Sequence, residues 1–308
     1  MSSRTGFPGA VPVGTVEASN SGFCGLLITS HVNLAKASSA WALLLTKTPQ
    51  SATDKYTIRL PNGERNLVFE DTLAQVQTHF VAVLAKVQKR QRLSATDRAR
   101  LCVFAAAMHS RTTAMGEHWK KQQRQLHEQI VALEQSHNAP PSLSLETGQY
   151  AELAHQHLIA TALELEAPLL FQMRMTILVT DDDIGCLTSD TPCVWCNPNL
   201  YKFPPFYRSP GLAQNDIEVT LPLTPQHLVT ISHHEYPQYV DVAQKAVDEF
   251  NRRARFHCAE EFVSRNGDTR PYWFDPGKEP EDTWEKSEEG KRALASQDRP
   301  SKDDSETG

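Results

Sequence analysis

Five consecutive residues, Thr188-Ser189-Asp190-Thr191-Pro192, set a carboxylate among hydroxyls at what reads as the end of a strand. A carboxylate placed there can act as a general base or a metal ligand, with the hydroxyls beside it. The same residue types also build a turn whose side chains bond nearby amides, with Pro192 fixing the exit. Thr188, Ser189 and Asp190 are therefore candidate catalytic residues. Glu70 is another: it lies seven residues before Gln77, so the two share one helix face. Glu70 and Asp71 equally suit a helix start, where acids complement the macrodipole. Arg111 follows an apolar turn, Phe104 to Met108. A half-buried guanidinium without a carboxylate is costly, so Arg111 is expected to pair with Glu70, Asp71 or Asp190. Convergence of Asp190, Arg111 and Glu70 in one pocket is the requirement of a hydrolytic site.

Other constellations point less sharply. Cys193-Val-Trp-Cys196 suggests zinc or redox chemistry, but a structural zinc site needs four ligands and there is no second close Cys pair. In a strand, residues three apart face opposite sides, so the two sulfurs are expected to be small apolar groups. Asp181-Asp182-Asp183 could hold a hard cation, yet its place before Gly185 reads as a solvated turn. Lys120, Lys121 and Arg124 form one basic cluster and Arg252, Arg253 and Arg255 another. Runs of this kind are usually solvated faces. Arg111 and His118 stand at the spacing seen in helical ribonucleases of the HEPN type, which chance readily supplies in a chain with 12 His. No P-loop, dinucleotide-binding glycine pattern, Gly-x-Ser-x-Gly elbow or His-Glu-x-x-His helix is present, so the sequence indicates no metal site and leaves any cofactor unknown.

The elements that must position these residues follow from periodicity. Residues 1–20 lack a helical period and read as loose. Tyr56 to Leu60 alternates like a strand, and Pro61-Asn62-Gly63 is a turn. Leu73, Val76, Phe80, Val83, Leu84 and Val87 mark a helix over about 68–91. Ser94 is an N-cap with Asp97 in the first turn of the next helix, which carries Leu101, Phe104 and Met108 and runs on past Trp119 to Leu133. Pro141 to Gly148 reads as a linker, and a third helix covers about 149–170. Two long helices and a short linker make an αα-hairpin. From about Arg174 the pattern is strand-like: 174–180, a hairpin turn at Asp181–Gly185, then Cys186–Ser189, Pro192–Cys196, Ile217–Leu221 and Leu228–Ser232. Val240, Ala243, Val247, Phe250 and Ala254 mark one more helix, and a last strand lies near Phe256–Val263. Helices first and strands later imply an α+β fold: a long helical hairpin (67–172) followed by a mostly antiparallel sheet (173–264) with one further helix.

Four blocks resemble a known family. They are Val68-Phe-Glu-Asp-Thr-Leu-Ala-Gln-Val-Gln77; Leu93-Ser94 leading to Phe104 and His109-Ser110-Arg111-Thr112; Leu187-Thr188-Ser189-Asp190-Thr191-Pro192; and Val219 to Pro225 followed by a helix bearing Asn251 and a strand from about Phe256 to Ser264. In order and spacing they resemble the domain-of-unknown-function family numbered 4238 over about residues 60–264. The resemblance implies no established activity. It implies an N-terminal His-and-Pro motif that residues 1–60 lack, and a second acid in the first helix where this chain has Gln77.

Composition bounds the rest. Of the 308 residues 40% are hydrophobic, enough for a core, and the net charge is −6. Residues 275–308 hold 11 acids and 6 bases, a surplus of −5, leaving a body close to neutral. A broadly basic nucleic-acid binder is not indicated, although nucleic acid stays open as a partner. Six cysteines in so long a chain do not suggest a disulfide scaffold, no signal peptide or membrane span is seen, and the cytoplasm is the expected location. The expected organisation is a loose segment 1–20, one domain over 21–274 and a charged, disordered tail over 275–308. Two functions fit these residues: a hydrolase of nuclease-like type using Asp190, Arg111 and Glu70 with Ser189 and Thr188, and a non-catalytic interaction protein that binds a protein partner through its hairpin. Removing everything after Asp275 is expected to leave folding intact. A drop of many degrees in the melting temperature on truncation would show that the tail belongs to the fold.

Overall fold

An apolar residue every three or four positions gives a helix one greasy face, and α1 (Val68–Gln88) buries that face through Leu73, Val76, Phe80, Val83, Leu84 and Val87. The computed structural model describes residues 14–15, 58–59, 65–277, 283–284, 286–288 and 290–292. Ahead of α1 the described residues form the short strands β1 (Gly14–Thr15), β2 (Ile58–Arg59) and β3 (Arg65–Asn66). β2 and β3 pair antiparallel, as the Pro-Asn-Gly signal predicts, and that turn itself lies outside the described residues. So do residues 1–13 and 16–57, which together include most of the expected loose segment.

α2 (Ala95–Ser110) starts at a capping box. The Ser94 hydroxyl accepts from the Asp97 N–H, and the Asp97 carboxylate accepts from the Ser94 N–H. Lys86 of α1 donates to the same carboxylate at 2.8 Å, and these bonds hold Asp97, whose side chain is 3% exposed, down at about 2. A carboxyl whose folded pKa is lowered adds stability above its unfolded value, about 4, and loses it as pH falls through the folded one. Asp97→Ala is expected to cost about 2 kcal/mol at pH 7, through the lost cap and charge-assisted bonds. Thermal melts should show the gap to the parent protein narrowing below about pH 3.

The hairpin consists of α3 (Thr113–Ser136) packed against α4 (Ser142–Glu152) and α5 (Ala154–Thr161). Two expectations are corrected here. The helix begun at Ala95 does not run through to Leu133: it stops at Arg111, and Thr112 caps a new helix by accepting from the Met115 N–H at 3.2 Å. The stretch 142–148 is helical rather than a linker. Its start is capped from α3, where Glu134 Oε1 accepts from the N–H groups of Leu143 and Ser144 at 2.9 and 3.1 Å. A cap supplied by another helix leaves no local signal at the helix start.

After α5 a π-helical turn, Ala162–Glu166, leads into α6 (Ala167–Gln172). Strands and a helix follow as β4 (Arg174–Val179), β5 (Thr188–Ser189), β6 (Val194–Cys196), β7 (Glu218–Thr224), β8 (His227–Ser232), β9 (Tyr239–Asp241), α7 (Gln244–His257) and β10 (Glu261–Val263). A five-stranded sheet has the order β6-β7-β8-β4-β9, antiparallel except for the β4–β9 pair. A smaller sheet has the order β1-β10-β5. The fold is α+β. α1, α2 and α6 share one apolar core with the large sheet, from Phe80 and Phe104 to Ile177, Val219, Leu221 and Ile231. Leu187, Val194, Phe262 and Trp273 form a second cluster by the small sheet.

Asp181–Gly185 is not the expected hairpin turn, because β4 pairs with β8 and β9 while β5 joins the other sheet. The segment is a crossover. Asp182 Oδ1 accepts from the N–H groups of Ile184 and Gly185 and from Arg270. Gly185 has φ +72°, and a Cβ there would sit 2.1 Å from the Pro225 carbonyl oxygen, so only glycine fits. Val240 likewise belongs to β9 rather than to the last helix, whose ladder begins at Gln244 and continues through His257. Polar bonds add to the apolar core that the two halves share: Gln238 and the Tyr239 hydroxyl donate to the Gln91 carbonyl, at 3.1 and 2.6 Å, and Arg90 pairs with Asp241. Of the charged tail, the described part contains a helical turn in which Ser287 N–H donates to the Trp284 carbonyl and Lys291 N–H to that of Ser287. No described helix is long and apolar enough to cross a membrane.

Candidate functional site

The end of α2 is held from two sides. Its last carbonyls lack helical partners, and His155 of α5, buried, meets the Ser110 carbonyl oxygen through Nε2 at 3.1 Å. Gly116 of α3 makes this possible, since a Cβ there would lie 2.6 Å from the His155 ring. Five residues beyond α5, the π-helical turn puts Glu166 beside α2. Pro168 explains the widening: it has no N–H for an i−4 bond and its ring crowds that carbonyl, and the Ala167 N–H instead reaches back five residues to Ala162. π-turns inside helices are often functional.

Glu166 Oε2 lies 3.1 Å from His109 Nδ1, with side chains 17% (His109) and 22% (Glu166) exposed. Glu166 accepts from Nδ1–H, so in the neutral imidazole Nε2 carries the lone pair. Nε2 makes no hydrogen bond to any described residue. The opposite support is Trp195 of β6, whose indole stacks on the His109 ring at 4.0 Å and 13°. The indole nitrogen is buried with no hydrogen-bonded oxygen or nitrogen among the described residues, and the Cys193 sulfur, a weak acceptor, neighbours it. Burial and then the Glu166 charge push the Cys193 thiol up to about 12. The cysteine next to the pair is thus a thiol and not a nucleophilic thiolate. Helix α2, the π-turn and the sheet edge together hold an imidazole by a carboxylate and an aromatic face, which is how a general acid–base group is oriented.

The Thr188-Ser189-Asp190 motif is built differently. Both Asp190 carboxylate oxygens are engaged: Oδ1 accepts from the Ala259 N–H at 2.9 Å, and Oδ2 from those of Glu260 and Glu261 at 2.6 and 3.3 Å. The Asp190 N–H donates to the Glu261 carbonyl. The carboxylate thus closes the loop between α7 and β10. Burial, then the Asp190 charge and hydrogen bond, push the Cys258 thiol up to about 12. Thr188 and Ser189 are buried in β5, where Ser189 Oγ accepts from the Thr191 N–H. Arg111, half-buried at the end of α2, pairs with neither Asp190 nor Asp71, whose polar contacts lie elsewhere. Glu70 sits half-buried in the first turn of α1. The expected pairing of Asp190 with Arg111 is not formed, and the pocket that required it is not built around Asp190.

The family model described as protein of unknown function (DUF4238) matches residues 43–268. The chain belongs to that family. No curated protein and no solved structure matches the chain. Of the DUF4238 blocks, the third and fourth meet at one joint. Asn251 of α7 accepts from the Leu187 N–H and donates to the Gly185 carbonyl, both at 2.8 Å, fastening α7 to the strand that carries Asp190. The second block ends at the imidazole and guanidinium of His109 and Arg111. Nothing local marks His109 within that block, because its partner Glu166 is far along the chain and brought in by a π-turn that periodicity does not reveal. Among the described residues no group of three His, Cys, Asp or Glu is placed to hold a metal ion.

Proposed function

We propose that this DUF4238 protein is a cytoplasmic hydrolase in which His109, oriented by Glu166 and Trp195, is the acid–base group. The observation that carries the reading is the His109–Glu166 pair stacked on Trp195, with Nε2 bonded to no described residue. In a hydrolytic step Nε2 takes a proton from the attacking water and returns it to the leaving oxygen, while Glu166 keeps the ring in place. Phosphodiesters are the substrate class to test first, since a water attack and an oxygen leaving group both need the proton transfer that one imidazole supplies, in keeping with a nuclease-like activity. Purified protein would be screened against RNA, DNA and small esters, with and without a divalent metal. Turnover of a phosphodiester that disappears in His109→Gln supports the reading. No turnover of any substrate, or turnover unchanged by that substitution, counts against it.

A second reading, a partner-binding protein, is favoured by the hairpin. Leu126 and Leu133 of α3 and Leu143 and Leu145 of α4 are between 45 and 65% exposed. Leu143→Glu with Leu145→Glu is expected to leave the melting temperature within about a degree and to abolish any stable partner complex, read by cross-linking in cell extract.

A further inference from the structure

The C-terminal end of α7 and the short 3₁₀ turn Pro271–Phe274 share a surface that neither reading uses. Phe256, Tyr272 and Phe274 are 44, 47 and 43% exposed there. Two arginines interleave with them. The Arg252 guanidinium lies 5.9 Å from the Phe256 ring centre and 6.0 Å from that of Tyr272, and the Arg255 guanidinium lies 5.1 Å from Phe256 and 5.3 Å from Phe274.

The arginines of this run differ in what they have already spent. Arg253 pairs with Glu218 and Glu249, and Arg252 pairs with Glu249 and donates to the Asp275 and Pro276 carbonyls. Arg255 pairs with no carboxylate among the described residues, and its Nε is buried with no acceptor. It is a cation fixed between two aromatic rings, with no anion paired to it among the described residues. Guanidinium over an aromatic face is attractive in itself, but it does not supply the hydrogen-bond acceptors that the group's planar donors match.

We infer that this face binds single-stranded nucleic acid, with bases stacked on Phe274, Phe256 and Tyr272 and a backbone phosphate on Arg255. The ligand must present flat π faces and an anion at short, repeated spacing, which an unpaired strand does and an acidic peptide does not. Stacking on a ring is tolerant of sequence, and a duplex hides the base faces it needs. The net charge does not oppose this, since nearly all the excess acid lies in residues 275–308 and the body is close to neutral. That acidic stretch begins at this same edge, where Arg252 holds the Asp275 and Pro276 carbonyls, so it is the competitor the test must include. The inference does not rest on hydrolysis by His109: other residues make the site, and the readout is binding of a strand whose length is checked to be intact.

The test is fluorescence anisotropy on the full chain with labelled oligothymidine, oligouridine and a DNA duplex, each about twelve nucleotides long, near the span of known single-strand sites. Micromolar binding of one or both single strands is expected, weaker for the duplex and falling with salt. Phe274→Leu and Arg255→Gln should each weaken it about tenfold, while Phe274→Tyr, which keeps the ring, should not. Tyr272→Leu, which removes the most exposed of the three rings and its hydroxyl bond to Glu249, should also weaken binding, and melting temperatures confirm folding of all. The inference is overturned by no binding up to about 100 μM, far above the range expected for stacking on several rings. It also fails if the substitutions leave affinity unchanged, if the duplex binds as tightly as the single strands, or if a peptide of residues 276–308 binds this face while the oligonucleotides do not. Oligothymidine against oligouridine then tells DNA from RNA as the strand taken.

Discussion

His109→Gln is expected to lower phosphodiester hydrolysis by about 10²–10⁴-fold, the usual contribution of a positioned general acid–base group. Glutamine is close in size, can still donate an N–H toward Glu166 and can still lie against the Trp195 indole, but it cannot carry a proton in and out of a reaction. The loss is therefore expected in turnover, with the melting temperature within a few degrees of the parent. Glu166→Gln should fall less far, by about ten- to a hundredfold, because the imidazole remains but loses the carboxylate that fixes its tautomer. A variant of either kind that loses activity only in proportion to loss of folded protein would assign both residues to structure.

The largest expected effect on stability lies at Asp190. Its two oxygens accept three backbone N–H groups from residues 259–261, so an Asn side chain would turn an NH₂ toward at least one donor. With the charge-assisted bonds lost as well, Asp190→Asn is expected to cost about 2–4 kcal/mol. In a domain of this size that lowers the melting temperature by about 5–15 °C. At a temperature where both proteins are folded, activity per folded molecule should be unchanged. An Asn variant that melts like the parent yet is inactive would return Asp190 to the chemistry and remove it from the loop joint.

The α+β class, the first helix, the Ser94–Asp97 cap and the mostly antiparallel order were legible because each rests on local chemistry. Leu73 to Val87 announce a helix by spacing alone, and a Ser three residues before an Asp announces its own cap. What was not legible came from residues meeting across long separations. Glu134 caps α4 from another helix, so 142–148 reads as a linker. Asp182 turns 181–185 into a crossover by bonding Arg270, so the segment resembles a hairpin turn. At the candidate site the acid in Thr-Ser-Asp was visible and its use was not: a carboxylate that accepts three amides and one poised to act are the same residue in the sequence. His109 was in plain view within a family block, but 57 positions separate it from Glu166, and only the extra residue of the π-turn brings the two together. A Pro two residues after a helical Glu was the one local sign of that distortion.

The central claim, that His109 works as a unit with Glu166, is tested most directly by a double-mutant cycle on kcat/KM for phosphodiester hydrolysis. Groups acting as one unit are strongly non-additive. With His109→Gln already in place, adding Glu166→Gln should change the residual rate by less than about twofold, against the ten- to hundredfold loss it causes alone. Equal losses in both backgrounds, or full activity in His109→Gln, would contradict the account.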